Sequence, residues 1–453
     1  MRGIAVTLIA LALLGVPVAI ATTTAASTSG LSASATNTTP RFVGPTSTDR
    51  YGGGDWVGVT AGATNFGVLY GTQAHPNDVV IFAEYTRFLG GANVVNAQGQ
   101  QIAVRGVPVR TVMAQSLDRF IEFQTVNVSA GFDLFNGSGQ PITFPVNQPI
   151  KALNLHTGAW NLTNPSHGMV GSTYYVNFTI EAQNLSYTWY NPNVPGAAAS
   201  ASGVLDKVAF TFHLTVDTVQ KTLSVPWYTV SVTDTTPREI TNVSFAGYHT
   251  VSGPAVEMGA KYDHLIQGWD FLSNTSKLAL ETHLIFGNYF PDRTVDFIHQ
   301  AYGGDRAEAG NNTTLLDNAT AADAPPAPHL YTWGQISFDD SYTRVGTFRW
   351  TSNVTVDGTQ EQMLFQVQGG RRIVYNNGES VFYGFAVRGA YIYPAGQTIL
   401  HDPSMSAESF SPNVTSGFNL TPVGILLIQV AVVGVAIIPA LYLRSRARRP
   451  KQN

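Results

Sequence analysis

From Val208 to Val216 the chain alternates without a break. Val208, Phe210, Phe212, Leu214 and Val216 fall on one side, and Ala209, Thr211, His213 and Thr215 on the other. A period of two sends successive side chains to opposite faces of an extended backbone, so this stretch reads as a strand with one buried face. Val176, Phe178 and Ile180 repeat the pattern, as do Phe348, Trp350, Val354 and Val356. Asn377-Gly378, between the apolar runs 373–375 and 381–383, suits a type I′ hairpin turn, and Gly90-Gly91 with Gly99 brackets a second hairpin. Between the chain's two ends, only residues 293–302 look helical. Many strands, many turns and little helix predict a mainly β protein: an antiparallel β-sandwich, either one enlarged domain or two packed ones, plus one C-terminal transmembrane helix.

The two ends set the expected topology. Arg2, the uncharged apolar run 4–20 and the small-X-small triplet Ala19-Ile20-Ala21 form a secretory signal pattern over residues 1–21, with an uncleaved anchor as the alternative. Residues 423–443 carry no charge and are long enough to cross a bilayer as a helix. Gln429 and Pro439 are tolerable inside such a span. The tail 444–453 follows with Arg444, Arg446, Arg448, Arg449 and Lys451 and no acidic residue, which keeps it cytoplasmic and the body outside. Between the ends, Ser/Thr-rich residues 22–50 read as a disordered linker, 51–235 as a first β domain, 236–412 as a second and 413–422 as a juxtamembrane linker. The Ala/Pro-rich stretch 311–328 reads as an exposed loop.

Fourteen of the 27 asparagines begin an Asn-X-Ser/Thr triplet without proline: Asn37, Asn127, Asn136, Asn161, Asn177, Asn184, Asn242, Asn274, Asn311, Asn312, Asn318, Asn353, Asn413 and Asn419. All lie between the two apolar end segments, as glycan acceptors on an extracellular surface should. Charged residues are 12% of the chain, about half the usual ~25%. Setting aside Arg2 and the five tail cations leaves 19 basic against 29 acidic residues, a net −10, with no basic stripe for nucleic acid. So few ionisable groups predict a fold with weak pH dependence, consistent with life in acid; glycans replacing charge as the solubiliser is the rival explanation. The absence of cysteine excludes disulfides, thiol chemistry and Cys-zinc sites.

Four segments, Ile150-Lys151-Ala152-Leu153-Asn154-Leu155, Gly268-Trp269-Asp270-Phe271, the run 278–287 and His401-Asp402-Pro403 with its flanks, together resemble archaeal membrane-anchored, glycosylated β-rich ectodomains of unassigned function. The resemblance implies an architecture, with a His-Asp-Pro element closing the body before the anchor, and no activity.

Glu281 and His283 alternate on one strand, about 7 Å apart on the same face. His264, beside Asp263 and shortly before Asp270, is expected on a neighbouring strand or turn, so His264, Glu281 and His283 are candidate metal ligands. The alternative is a solvated strand face. Tyr187, Trp189 and Tyr190 could stack on a sugar ring or fill the core. His401-Asp402-Pro403 reads as a turn that the histidine docks, or as a pH-responsive site. Asp339-Asp340 offers a calcium site or, alternatively, a pairing with Arg344. The Gly52-Gly53-Gly54 run neither follows a strand nor precedes a helix, so it is no phosphate cradle, and no nucleophile-elbow or aspartic-protease motif occurs. No catalytic residue and no cofactor is called for. The reading is a single-pass cell-surface protein in contact with the membrane and with other surface proteins or itself. A ligand- or metal-capturing subunit of a membrane complex and an extracellular acid-active hydrolase are the alternatives.

Overall fold

A computed structural model of the chain describes residues 39–47, 54–129, 138, 140, 143–197, 203–235, 240–291, 306–309, 313–316, 329–331, 334–339, 344–376 and 380–410. The expected signal, anchor, tail and 293–302 helix lie outside the described residues, as do acceptors Asn37, Asn136, Asn311, Asn312, Asn318, Asn413 and Asn419. Among the described residues no helix is long and apolar enough to cross a membrane.

The protein is mainly β, with 23 strands joined into one hydrogen-bonded sheet and a single 3-10 turn at Leu155–Thr157 among the described residues. In chain order the strands are β1 (Arg41–Ser47), β2 (Asp55–Ala61), β3 (Thr64–Tyr70), β4 (Val79–Val95), β5 (Gln101–Ser129), β6 (Thr143–Asn154), β7 (Asn161–Val170) and β8 (Thr173–Ser186). Next come β9 (Trp189–Tyr190), β10 (Val204–Val232), β11 (Ile240–Gln267), β12 (Lys277–Pro291), β13 (Arg306–Ala309), β14 (Thr313–Leu316), β15 (His329–Tyr331) and β16 (Gly334–Asp339). The last are β17 (Arg344–Trp350), β18 (Asn353–Val356), β19 (Thr359–Gln362), β20 (Leu364–Asn376), β21 (Ser380–Pro394), β22 (Thr398–His401) and β23 (Ser404–Phe410).

Antiparallel pairing runs from β1 through β2, β3, β4 and β5 to β12, β21 and β20, with β6 on the far part of β5. A second run goes from β7 through β8, β10 and β11 to β22 and β23, then to β17 and β16. The two runs meet in parallel where β4 pairs with β10 and, at one residue, with β23. The sheet is therefore mixed, not wholly antiparallel as expected. Gly91 makes the main seam possible: its register partner is Trp227, and a Cβ there would sit 2.2 Å from the indole.

Alternation sorts the side chains. Val208, Phe210, Phe212, Leu214 and Val216 are all buried, as are Val176, Phe178, Ile180, Phe348, Trp350, Val354 and Val356. Rings from the two runs meet in one core: Trp160 against Phe210, Phe120 against Trp269, His264 against Tyr391 and Trp350 against Phe365.

Two of the expected boundaries fall within the paired sheet. Arg41–Ser47, inside the expected disordered linker, is strand β1 paired to β2, because Phe42 finds an apolar surface to pack against. The expected division at 235/236 falls in the connection between β10 and β11, which pair from Lys207↔Gln267 out to Val232↔Ile240. Strand β12, from the expected second domain, lies between β5 and β21, so both halves share one sheet and one core. The hairpin expected at 377–378 joins β20 to β21, although its turn residues lie outside the described set.

Candidate functional site

Glu281 and His283 share one face of β12, as their spacing predicts. Glu281 is held between two arginines, with Oε2 2.6 Å from Arg119 Nε on β5 and Oε1 2.5 Å from Arg388 Nη2 on β21. Its carboxylate is nearly buried while the arginine side chains are about half exposed. His283 pairs through Nδ1 with Asp118, whose other oxygen accepts the Ser116 hydroxyl. Asp118 is the extra residue of a β-bulge: Arg119 faces Glu281 and Leu117 faces Thr282, leaving Asp118 unpaired and re-aimed towards His283.

Asp78, just before β4, completes this cluster, with His156 Nδ1 3.6 Å from its Oδ1. Burial, reinforced by the Asp118 carboxylate, pushes the Asp78 carboxyl above its usual range, partly offset by His156. The His156 ring is raised in turn by its contact with Asp78. The cluster thus holds two carboxyls, Asp78 and Asp118, and two imidazoles, His156 and His283.

His264 lies apart from Glu281 and His283. Strand β11 pairs with β10, β22 and β23, whereas β12 crosses to β5 and β21 after the Gly268 break, so consecutive strands are not neighbours. His264 is fully buried, and no three His, Asp or Glu side chains among the described residues are placed to hold a metal ion. It belongs instead to a buried relay with Tyr393 and His401. His401 Nε2 donates to the Thr351 carbonyl (3.2 Å), so its Nδ1 accepts from the Tyr393 hydroxyl at 3.1 Å. Tyr393 then accepts from His264 Nδ1 (3.0 Å), which leaves His264 Nε2 a buried lone pair without a hydrogen-bond partner. Phe210, Tyr262 and Tyr391 close around that ring. Burial lowers His264 well below the ordinary imidazole value and His401 to about 4, so both are neutral at pH 7.

A third polar centre joins two of the segments that carry the resemblance. Lys151 on β6 faces Glu122 on β5 across the ladder, and both are fully buried. The ammonium lies 3.5 Å from Glu122 Oε2 and 3.8 Å from Asp270 Oδ2, and it donates to the Asp270 carbonyl. Tyr187 and Trp269 cover it at 4.3 and 5.6 Å from their ring centres. Burial pulls the Lys151 amine below its usual range, against the pull of both carboxylates. Of the aromatics that could stack on a sugar or fill the core, Tyr187 turns inward over Lys151 while Trp189 stays exposed.

Asp118, Asp78, His156, Lys151 and Glu122 escaped the sequence analysis. Bulges and cross-strand registers leave no spacing signature; only the segments around Lys151 and Trp269 carried a hint. Asp339 stands opposite Arg344 in the register of β16 and β17. His401 is docked by hydrogen bonds and Asp402 pairs with Lys261 at 2.9 Å, as a structural clasp requires. Of the described acceptors, Asn127, Asn161, Asn184, Asn242, Asn274 and Asn353 are exposed, and Asn177 is half-buried beside His213. No protein-family model matches the chain, and no curated protein matches it.

Proposed function

We propose that this is a non-enzymatic, N-glycosylated cell-surface protein of the archaeal ectodomain type it resembles. In this reading it is an enlarged β-sandwich held by one C-terminal helix (423–443), with residues 444–453 inside the cell. Its role is structural or adhesive contact in the envelope, with itself or with other surface proteins. The observation that supports this most is the placement of the seven described acceptors: six are exposed and one half-buried. Polar clusters that would suit a ligand are largely occupied by their own neighbours, Glu281 by two arginines and His283 by Asp118.

The test is native mass spectrometry of the full-length protein, gently extracted from its membranes, with glycopeptide mapping alongside. A homo-oligomeric ladder with glycans on Asn161, Asn242, Asn274 and Asn353 is expected. Unmodified asparagines at all four would sink the surface reading. A defined complex with a different membrane protein, or a bound metal or sugar, would make it a capture subunit instead. The acid-active hydrolase reading has one observation in its favour, the Asp78 carboxyl raised by burial and by Asp118. It requires Asp118→Asn to abolish an activity that the unaltered protein displays.

A further inference from the structure

The geometry points to an intramolecular amide cross-link between the Lys151 side chain and the Asp270 carboxyl, formed with Glu122 as proton carrier. The argument is independent of the surface reading. A salt bridge needs one anion for one cation, yet Lys151 meets two carboxylates within 4 Å, at 3.5 and 3.8 Å. Glu122 is already fixed by donors on both oxygens, Trp269 Nε1 at 3.1 Å and the Leu272 amide at 2.7 Å. It is fully buried, whereas the Asp270 side chain is 58% exposed. Glu122 therefore has the place of a fixed acid–base group, and Asp270 that of a reacting partner whose product can leave to solvent.

Tyr187 and Trp269 keep water from the amine, and a dry site disfavours the ammonium relative to the nucleophilic free amine. The lowered basicity of Lys151 agrees with this. The Nζ lone pair attacks Asp270 Cγ, an N–C bond forms and one Cγ–O bond breaks. Of the three ammonium hydrogens, one stays on the amide nitrogen and two leave with the departing oxygen as water, passed through Glu122, which is regenerated. Charge and atoms balance without an oxidant or other co-reactant. The folded chain supplies the proximity, holding the amine 3.8 Å from the Asp270 carboxylate, and a well-oriented approach from there gives effective concentrations of order 10⁵ M or more. The bond would tie β6 to the β11–β12 connection, 119 residues away, in a chain that has no cysteine for the purpose.

The test is tryptic peptide mapping of the denatured full-length protein by mass spectrometry. An acylated lysine is not cut, so the expected product is residues 120–207 joined to 262–277, lighter than the separate peptides by one water. Asp270→Ala, at a largely exposed side chain, should restore cleavage after Lys151, and Glu122→Gln should do the same in a protein with unchanged circular dichroism. Recovery of free peptides 120–151 and 262–277 from the unaltered protein overturns the proposal whatever the variants do. So does a water-loss link that joins Lys151 to Glu122.

Discussion

At the residue scale, the buried histidines reverse the expectation of weak pH dependence. His401 is almost inaccessible and its value falls from 6.5 to about 4 on folding. Between those values the unfolded chain binds a proton that the folded one refuses, so stability rises with pH across this window. The contribution is complete above about pH 6.5 and is lost as pH falls towards 4. A shift of this size corresponds to roughly 3 kcal/mol. His264 acts in the same direction. Urea unfolding should therefore show a marked loss of stability from pH 7 to pH 4.5, and His401→Phe should flatten that slope even if it lowers stability at pH 7. Equal slopes in the two proteins would remove the relay from the account. The shared face of Glu281 and His283 was readable from their spacing, because strand geometry alone decides it. Their partners were not, because Arg119, Asp118 and Arg388 are supplied by strands far away in sequence.

At the scale of elements, alternation was a reliable guide wherever one face is buried. It identified the inward residues of β8, β10, β17 and β18, although Ala209 on the opposite face of β10 is buried as well. What alternation cannot carry is a strand's neighbour. Strand β4 bends at Gly90 and Gly91, and there it accepts β10 in parallel with the Trp227 ring lying over Gly91. The hairpin expected between Gly90-Gly91 and Gly99 joins β4 to β5 and turns at Gly99, whose φ of 77° suits glycine, while Gly90 and Gly91 lie within β4. Gly91→Val should push the indole aside and cost about 1–3 kcal/mol, the usual penalty for overpacking. The check is the chemical-denaturation midpoint together with Trp fluorescence; a change in neither would mean that the seam is not packed as described.

At the scale of the molecule, the pairing of β5 with β12 and of β10 with β11 across the expected domain boundary argues for one cooperative body. Calorimetry should give one unfolding transition, and residues 51–235 expressed alone should not fold. Two separable transitions would restore the two-domain division. So many contacts between distant parts of the chain also imply slow folding, since loop closure must precede the contacts that reward it.

The β class, the inward faces, the exposure of six of the seven described acceptor asparagines and the absence of disulfide chemistry all follow from local order along the chain. Side-chain direction in a strand depends only on the residue and its immediate neighbours. The meeting of Lys151 with Asp270, the bulge that turns Asp118 to His283, and the separation of His264 from Glu281 depend on which distant strands lie side by side. That choice is made by the packing of the whole core, where the free energy of burying one face is shared among strands more than a hundred residues apart, and no short window of sequence holds it.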